Sequence, residues 1–135
     1  MKLSTRSRYG IRMMLDLAQH YNDGYVQIGD VAEREGISVK YLEQLIIPLK
    51  KAHYIKSARG PKGGHVLAKP PEQITVGEIV KLLEGGIDLS RCIGDPDICD
   101  RSETCLSRSI WERATRAMHN ELNSLTLSDV IRSHK

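Results

Sequence analysis

Between Asp30 and Ala68 the periodicity of the sequence changes from helical to alternating, and the order of the change leaves few folds open. Asp30 to Glu35 reads as a short helix with Asp30 as its N-cap, and Gly36 stands where a left-handed C-terminal cap belongs. Ser38 then caps a second helix running from Val39 to about His53. Leu42, Leu45, Ile46 and Leu49 form its buried face, and Pro48, which removes one hydrogen bond, predicts a local kink. Tyr54 to Ala58 alternates as a strand, Arg59-Gly60-Pro61-Lys62-Gly63-Gly64 is a basic turn, and His65 to Ala68 returns as a second strand. Two short helices joined by a turn containing Gly have the shape of a helix-turn-helix. A basic β-hairpin directly behind the second helix gives the order of a winged helix.

The rest of the chain extends this frame. A first helix is expected after Ser7, where Tyr9, Met13, Leu17 and Tyr21 recur near every fourth residue with Met14 and Ala18 beside them. Asn22-Asp23-Gly24 ends it, and Tyr25 to Ile28 suits a short strand. Thr75 and Glu78 form a capping box for a helix with Ile79, Leu82 and Leu83 on its apolar face, closed by Gly85-Gly86. Residues 87–105 read as a long irregular loop carrying all three cysteines, a length that goes with function or with disorder. Leu106 to about Leu122 reads as a long helix, with Ile110, Ala114, Ala117 or Met118, and Leu122 along one side and Trp111 adjacent. Such a helix needs a packing partner, and a second subunit is the simplest one; folding back on its own domain is the alternative. The expected fold class is therefore mainly α with a small β-hairpin, a winged helix-turn-helix plus a long C-terminal dimerisation helix. Its expected division is 1–86 for the winged helix, 87–105 for the cysteine loop, and 106–135 for the dimerisation helix and tail.

Composition narrows the function. With 135 residues, 40% of them hydrophobic, no Phe and one Trp, the core must rest on Leu, Ile, Val, Met and a few Tyr. Residues 1–62 hold 11 Lys/Arg against 6 Asp/Glu, a balance of +5, whereas residues 63–135 hold 9 against 11, a balance of −2. A polyanionic partner for the first half alone fits this split, as does ordinary surface charge. No apolar run approaches the roughly 18 residues needed to cross a membrane, and the N-terminal residues lack the apolar stretch of a signal peptide. A cytoplasmic location is expected, where thiols stay reduced, so three cysteines do not read as a disulfide framework. No catalytic grouping is present: no nucleophile motif, no paired carboxylates at a defined spacing and no phosphate loop before a helix. An enzyme and a small-molecule substrate are not expected. The five histidines show no ligand spacing, and each reads as a surface or packing residue, with a phosphate contact left open for His65 beside the wing.

Two sets of residues carry chemistry. The wing glycines let backbone approach a phosphate or a groove closely, and Arg59 and Lys62 sit at the tip. Cys92, Cys99 and Cys105 are separated by six and then five residues. Thiolates are soft ligands that suit iron–sulfur clusters or zinc, and the absence of CxxC argues against a structural zinc site. Three free or redox-active cysteines without a metal are the alternative.

The stretch Ile37-Ser38-Val39-Lys40-Tyr41-Leu42-Glu43-Gln44-Leu45, the wing Arg59 to Gly64, and Thr75-Val76-Gly77-Glu78-Ile79 resemble the IscR-type winged-helix regulators, a family that includes NsrR, RirA and CymR branches. So do the opening Met1-Lys2-Leu3-Ser4, Arg8-Tyr9-Gly10, and Cys105-Leu106 leading into Ile110-Trp111. The resemblance implies a homodimeric bacterial transcription regulator on a pseudo-palindromic operator in double-stranded DNA. Its recognition helix would enter the major groove, its wing the adjacent minor groove, and its C-terminal helices would pair the subunits.

Carried over, the resemblance implies that Ser38, Lys40, Tyr41, Glu43 and Gln44 face the major groove and that Arg59, with Gly60 and Lys62, serves the wing. Gln44 can pair with adenine and Glu43 can accept from the cytosine amino group. Arg59 suits the negative potential of a narrow minor groove. A core aromatic is the other reading of Tyr41, and a solvated helix face that of Glu43. The resemblance further implies an iron–sulfur cluster on Cys92, Cys99 and Cys105, with [2Fe-2S] favoured over [4Fe-4S]. The chain departs from the family at the fourth ligand. Arg108 stands where a His would follow the last cysteine, and Arg8 stands where another branch has an acidic residue. Asp97, Asp100, Glu103, or an external thiol or water remain for that role. The alternative function is a cluster-free regulator of sulfur or cysteine metabolism that responds to thiol oxidation or to a partner protein.

Overall fold

The computed structural model describes residues 2–89, 91–98, 100–101 and 103–134, with backbone alone for Arg91 and Cys92. Helix α1, Thr5–Gln19, starts one turn nearer the N-terminus than the apolar stripe predicts, because Ser4 takes the cap: its Oγ accepts from the Ser7 amide at 3.3 Å. The Ser4 amide and hydroxyl both donate to Glu84 Oε1 at 2.7 Å, which ties this helix start to the end of α4, Val76–Glu84. Met13, Met14, Leu17 and Ala18 are buried as their spacing requires.

Helix α2, Ile28–Glu35, begins two residues before the predicted cap, Asp30. Gln27 occupies the N-cap position without a side-chain cap bond, and its amide instead donates to the Gly63 carbonyl at 2.6 Å. The early start of α2 leaves only Val26 of the expected Tyr25–Ile28 strand in pairing, as a single bridge to His65. Gly36 closes α2 in the left-handed conformation at φ 66°. Inside the α1–α2 pair, Asp16 is 2% exposed and accepts two bonds from Arg34, at 2.9 and 2.7 Å. A buried carboxylate must have its hydrogen-bonding capacity met, and this bidentate pair does so across the two helices and fixes how they meet.

Helix α3, Val39–Lys51, follows the expected cap, with Ser38 Oγ accepting from the Tyr41 amide at 3.1 Å. Leu42, Leu45, Ile46 and Leu49 form its buried face, and Pro48 lies within it. It stops short of His53 because His53 itself turns left-handed at φ 66°. The His53 amide then bonds Lys50 O at 3.0 Å and the Tyr54 amide bonds Leu49 O at 2.9 Å, a helix stop of the Schellman type. Strands β1, Ile55–Ala58, and β2, Gly64–Leu67, pair antiparallel from Ile55↔Leu67 to Ala58↔Gly64.

Thr75 and Glu78 complete the expected capping box of α4, and Gly85 ends the helix at φ 80°. The cysteine loop is less irregular than its sequence suggests: it holds a helical turn, α5, Arg91–Gly94, and a 3₁₀ turn, Pro96–Ile98. Helix α6, Arg108–Ser124, matches the expected long helix within two residues at each end. A last helix, α7, Leu127–Ser133, is not anticipated by the sequence reading. Thr126 and Asp129 cap it, the Leu127 amide bonds Ile74 O at 2.9 Å, and Leu127 is fully buried in the core with Met13, Leu42, Leu49, Ile55 and Ile79. Among the described residues no helix is long and apolar enough to cross a membrane.

Candidate nucleic-acid interface and cysteine loop

Because Leu42, Leu45, Ile46 and Leu49 hold one side of α3 in the core, the opposite side must face outward. Ser38, Lys40, Glu43 and Gln44 are all exposed there. Tyr41 is placed differently. It is half-buried against the core, its ring edge-on to Tyr9 with centroids 5.9 Å apart, while Arg8 and Arg12 lie over the Tyr9 ring. The face also carries two apolar side chains that sequence reading passed over, Val39 at 39% and Ile47 at 67% exposure. Their signal was present in the sequence: they stand four residues either side of Glu43, in a row beside the Leu42–Leu49 stripe rather than within it.

The wing separates its glycines by role. Gly60, at φ 99°, has nothing near the position a Cβ would take, and it shares an exposed tip with Arg59, Pro61 and Lys62. A Cβ on Gly63 would collide with the Ala58 carbonyl, and one on Gly64 with the Val26 carbonyl. Those two glycines are needed for packing inside the protein, and Gly60 alone leaves open backbone at the tip. His65 is half-buried, with Nδ1 2.7 Å from Ser57 Oγ. Burial, reinforced by the charge of Lys50 and opposed by Glu43, holds its pKa below the usual histidine range, so it is neutral near pH 7.

Of the three cysteines, Cys99 lies outside the described residues and Cys92 is described only by its backbone on α5. Cys105 is fully described. Its Sγ lies 3.1 Å from Ser107 Oγ, and its amide bonds Arg101 O at 2.6 Å. The Ser107 hydroxyl, the Arg108 and Ser107 amides and the charge of Arg101 together draw the Cys105 thiol below its ordinary pKa. Thiolate is the form that ligates metal, so the surroundings of Cys105 fit a soft-metal ligand.

The residues at the departed fourth-ligand positions have other contacts: Arg108 pairs with Glu112 at 2.7 Å and Arg8 lies over Tyr9. Asp97, Asp100 and Glu103 are exposed, and among the described residues no three His, Cys, Asp or Glu side chains converge. The loop is joined to α6 at its start. The Leu89 amide donates to Thr115 Oγ1 at 3.3 Å, and His119 Nε2 donates to Ile87 O at 2.7 Å. The other side of α6 is bare: Ile110 is 56% exposed, with Trp111, Ala114 and Ala117 exposed beside it, and Leu106 just before the helix is 89% exposed.

A helix-turn-helix with a polar outward face, followed at once by a basic wing, defines a winged-helix, DNA-binding transcription regulator. Residues 3–133 match the Rrf2 family, described as iron-dependent transcriptional regulators, and the chain belongs to that family. The protein rrf2 of Nitratidesulfovibrio vulgaris is 49% identical over 132 residues, covering 98% of this chain and 88% of that one. IscR of T. potens superposes with a TM-score of 0.82 at 38% identity, covering 100% of this chain and 89% of that one. CymR, the global cysteine regulator of B. subtilis, superposes with a TM-score of 0.81 at 36% identity, covering 96% and 95%. The family is one of transcriptional regulators rather than enzymes, in keeping with the lack of catalytic motifs in the sequence.

Proposed function

We propose that the chain acts as a cytoplasmic homodimer that reads a pseudo-palindromic DNA operator and reports iron–sulfur status through a cluster held by Cys92, Cys99 and Cys105. The observation that carries the DNA part is the outward face of α3, with Ser38, Lys40, Glu43 and Gln44 exposed and Arg59, Gly60 and Lys62 exposed at the tip of the adjoining wing. In this reading α3 enters the major groove, and Gln44 and Glu43 address base edges there. Tyr41 packs its inner edge on the core and offers its exposed part to the groove beside Ser38 and Lys40, and Arg59 enters the neighbouring minor groove. Residues 1–86 form the DNA-binding part, 87–105 the sensor loop and 106–135 the dimerisation helix and tail. The bare apolar side of α6 supports pairing of two copies, which would set the recognition helices about 34 Å apart, one DNA turn, or a multiple of it.

When bound, the cluster supplies an iron- and redox-responsive group at the loop, [2Fe-2S] in preference to [4Fe-4S]. Cys105 is suited to hold it by its lowered pKa, and the fourth position falls to Asp97, Asp100, Glu103, or an external thiol or water. The Leu89–Thr115 and Ile87–His119 bonds join the loop to α6, so a change in the loop is carried to the dimer helix and to the spacing of the two heads. The test is visible absorption and iron-to-sulfide content of anaerobically purified protein beside a Cys92→Ala variant, followed by operator affinity with and without the cluster. A coloured wild type, a colourless variant and unequal affinities are expected. Equal affinity on every site would remove the sensing claim.

A second reading rests on Cys105 itself. A thiol drawn toward thiolate is also a reactive one, and CymR shares the fold as closely as IscR does. Protein that stays colourless after reconstitution would establish the cluster-free regulator, with DNA binding untouched.

A further inference from the structure

The outward face of α3 pairs its polar side chains with apolar ones that the chain leaves uncovered. Val39, Glu43 and Ile47 stand at i, i+4 and i+8 and so form one row along the helix, on the exposed flank beside the buried Leu42, Leu45, Ile46 and Leu49. Both apolar members are exposed, Ile47 by two-thirds of its surface. Lys40, Lys50, Lys51, Arg59 and Lys62 are exposed on the same helix and the adjoining wing. An apolar row set among cations is complementary to a surface that is anionic overall and apolar at particular points. The major groove of DNA is such a surface, because each thymine presents a C5-methyl group between lines of phosphates.

We propose that Val39 and Ile47 are specificity-determining residues that contact thymine C5-methyl groups on either side of the base pair addressed by Glu43. The inference rests on α3 being the recognition helix and adds to it the identity of the flanking bases. The row is about 12 Å long at the helical rise, close to three or four base-pair steps of about 3.4 Å. One row can therefore meet a central cytosine amino group and a methyl group on each side. The chemistry of the row is also self-consistent. The phosphates repel a carboxylate in the groove, a cost offset only where its base partner is present, and apolar neighbours that exclude water strengthen that single contact.

The test uses the full-length protein. Binding sites are first selected from a pool of random duplexes, and each thymine in the selected half-site is then replaced by deoxyuridine, which lacks only the C5 methyl. Wild-type protein is expected to lose about fourfold in affinity at each of two positions, the effect of removing one methyl-sized apolar contact. Val39→Ala is expected to be indifferent to the replacement at one of those positions and Ile47→Ala at the other, each keeping the wild-type response elsewhere. Thermal melts should match the wild type, since both side chains are exposed. Selected sites without paired thymines overturn the inference and leave DNA reading intact. So do replacements that affect all three proteins equally. A pool that yields no preferred sequence overturns the recognition-helix reading itself, and this inference with it.

Discussion

Helices α3 and α6 both carry apolar side chains at helical spacing and have opposite circumstances. α3 is 13 residues long and buries Leu42, Leu45, Ile46 and Leu49; α6 is 17 residues long and its buried residue is Thr115. Yet α6 carries Ile110, Trp111, Met118 and Leu122, enough for an apolar face of its own. The difference lies in what each helix packs on. α3 closes a core shared with α1, α2 and β1, whereas α6 rests on α4 by one edge and leaves Leu106, Ile110 and Trp111 uncovered. The α3 end therefore has its core within one chain, whereas the α6 end leaves apolar side chains uncovered, as the proposed pairing of two copies requires. A regulator built this way can keep its recognition surface rigid while the relation between two such surfaces is adjusted elsewhere.

The comparison breaks most directly at its two apolar faces. Leu42→Ala removes a fully buried side chain of α3 and is expected to lower unfolding stability by about 2–5 kcal/mol in urea titrations. Trp111→Ala, though it deletes a larger side chain, should change the unfolding of a single chain by no more than about 0.5 kcal/mol, as surface sites do. If the two variants cost the same in dilute, monomeric samples, α6 packs within its own chain. Ile110→Asp addresses the other half of the contrast. A charge on the uncovered face is expected to weaken self-association by about 30-fold or more in sedimentation equilibrium, the scale of an interface hot spot, with the helical signal retained. Unchanged association would move the dimer contact away from α6.

How much of this was legible in the sequence follows the same division. The cap at Ser38, the stop at Gly36 and the Leu42–Leu49 spacing are local signals, and the structure keeps them. The Tyr25–Ile28 strand was misread because four residues of suitable type do not reveal that α2 will claim Ile28 first. Helix α7 was missed although Thr126 and Asp129 offer a local capping box, because the short run after it gains its packing only from Ile74 and the α1 core that receive Leu127. In the wing, residue type showed that glycine was needed, but only the positions of the Ala58 and Val26 carbonyls show that Gly63 and Gly64 serve packing. Val39 and Ile47 were overlooked because an apolar residue beside a buried stripe passes for part of it until exposure separates them. The three cysteines were evident as a set, and Cys105 alone shows why its thiol suits ligation.

The tail gives a sharper form of the contrast. Although α7 follows α6 in the chain, Leu127 joins the α3 core, and Thr126 Oγ1 caps the helix by accepting from the Asp129 amide at 3.0 Å. Thr126→Ala should therefore cost about 1 kcal/mol of the same unfolding transition that Leu42→Ala affects, without altering self-association. A loss seen only in the dimer would assign α7 to the other end.

The smallest effect tests whether the wing belongs to the self-contained end. His65 bridges to Val26 through two backbone bonds of 2.8 Å and holds Ser57 with its ring. Burial first, then Lys50, lowers its folded pKa below the ordinary 6.5, with Glu43 opposing. The unfolded chain then takes up a proton at a higher pH than the folded one does. Stability from this residue is complete above about pH 6.5 and is lost as pH falls from there toward the folded value. Wild-type protein is therefore expected to lose more stability between about pH 7.5 and about pH 5.5 than His65→Asn, whose side chain can still bond Ser57 but does not titrate. The same excess should persist in the Ile110→Asp background, because every group that shifts His65 lies within its own chain. An excess that vanishes with the dimer would mean that the wing is completed by the second subunit, and the division between a finished end and an unfinished one would have to be redrawn.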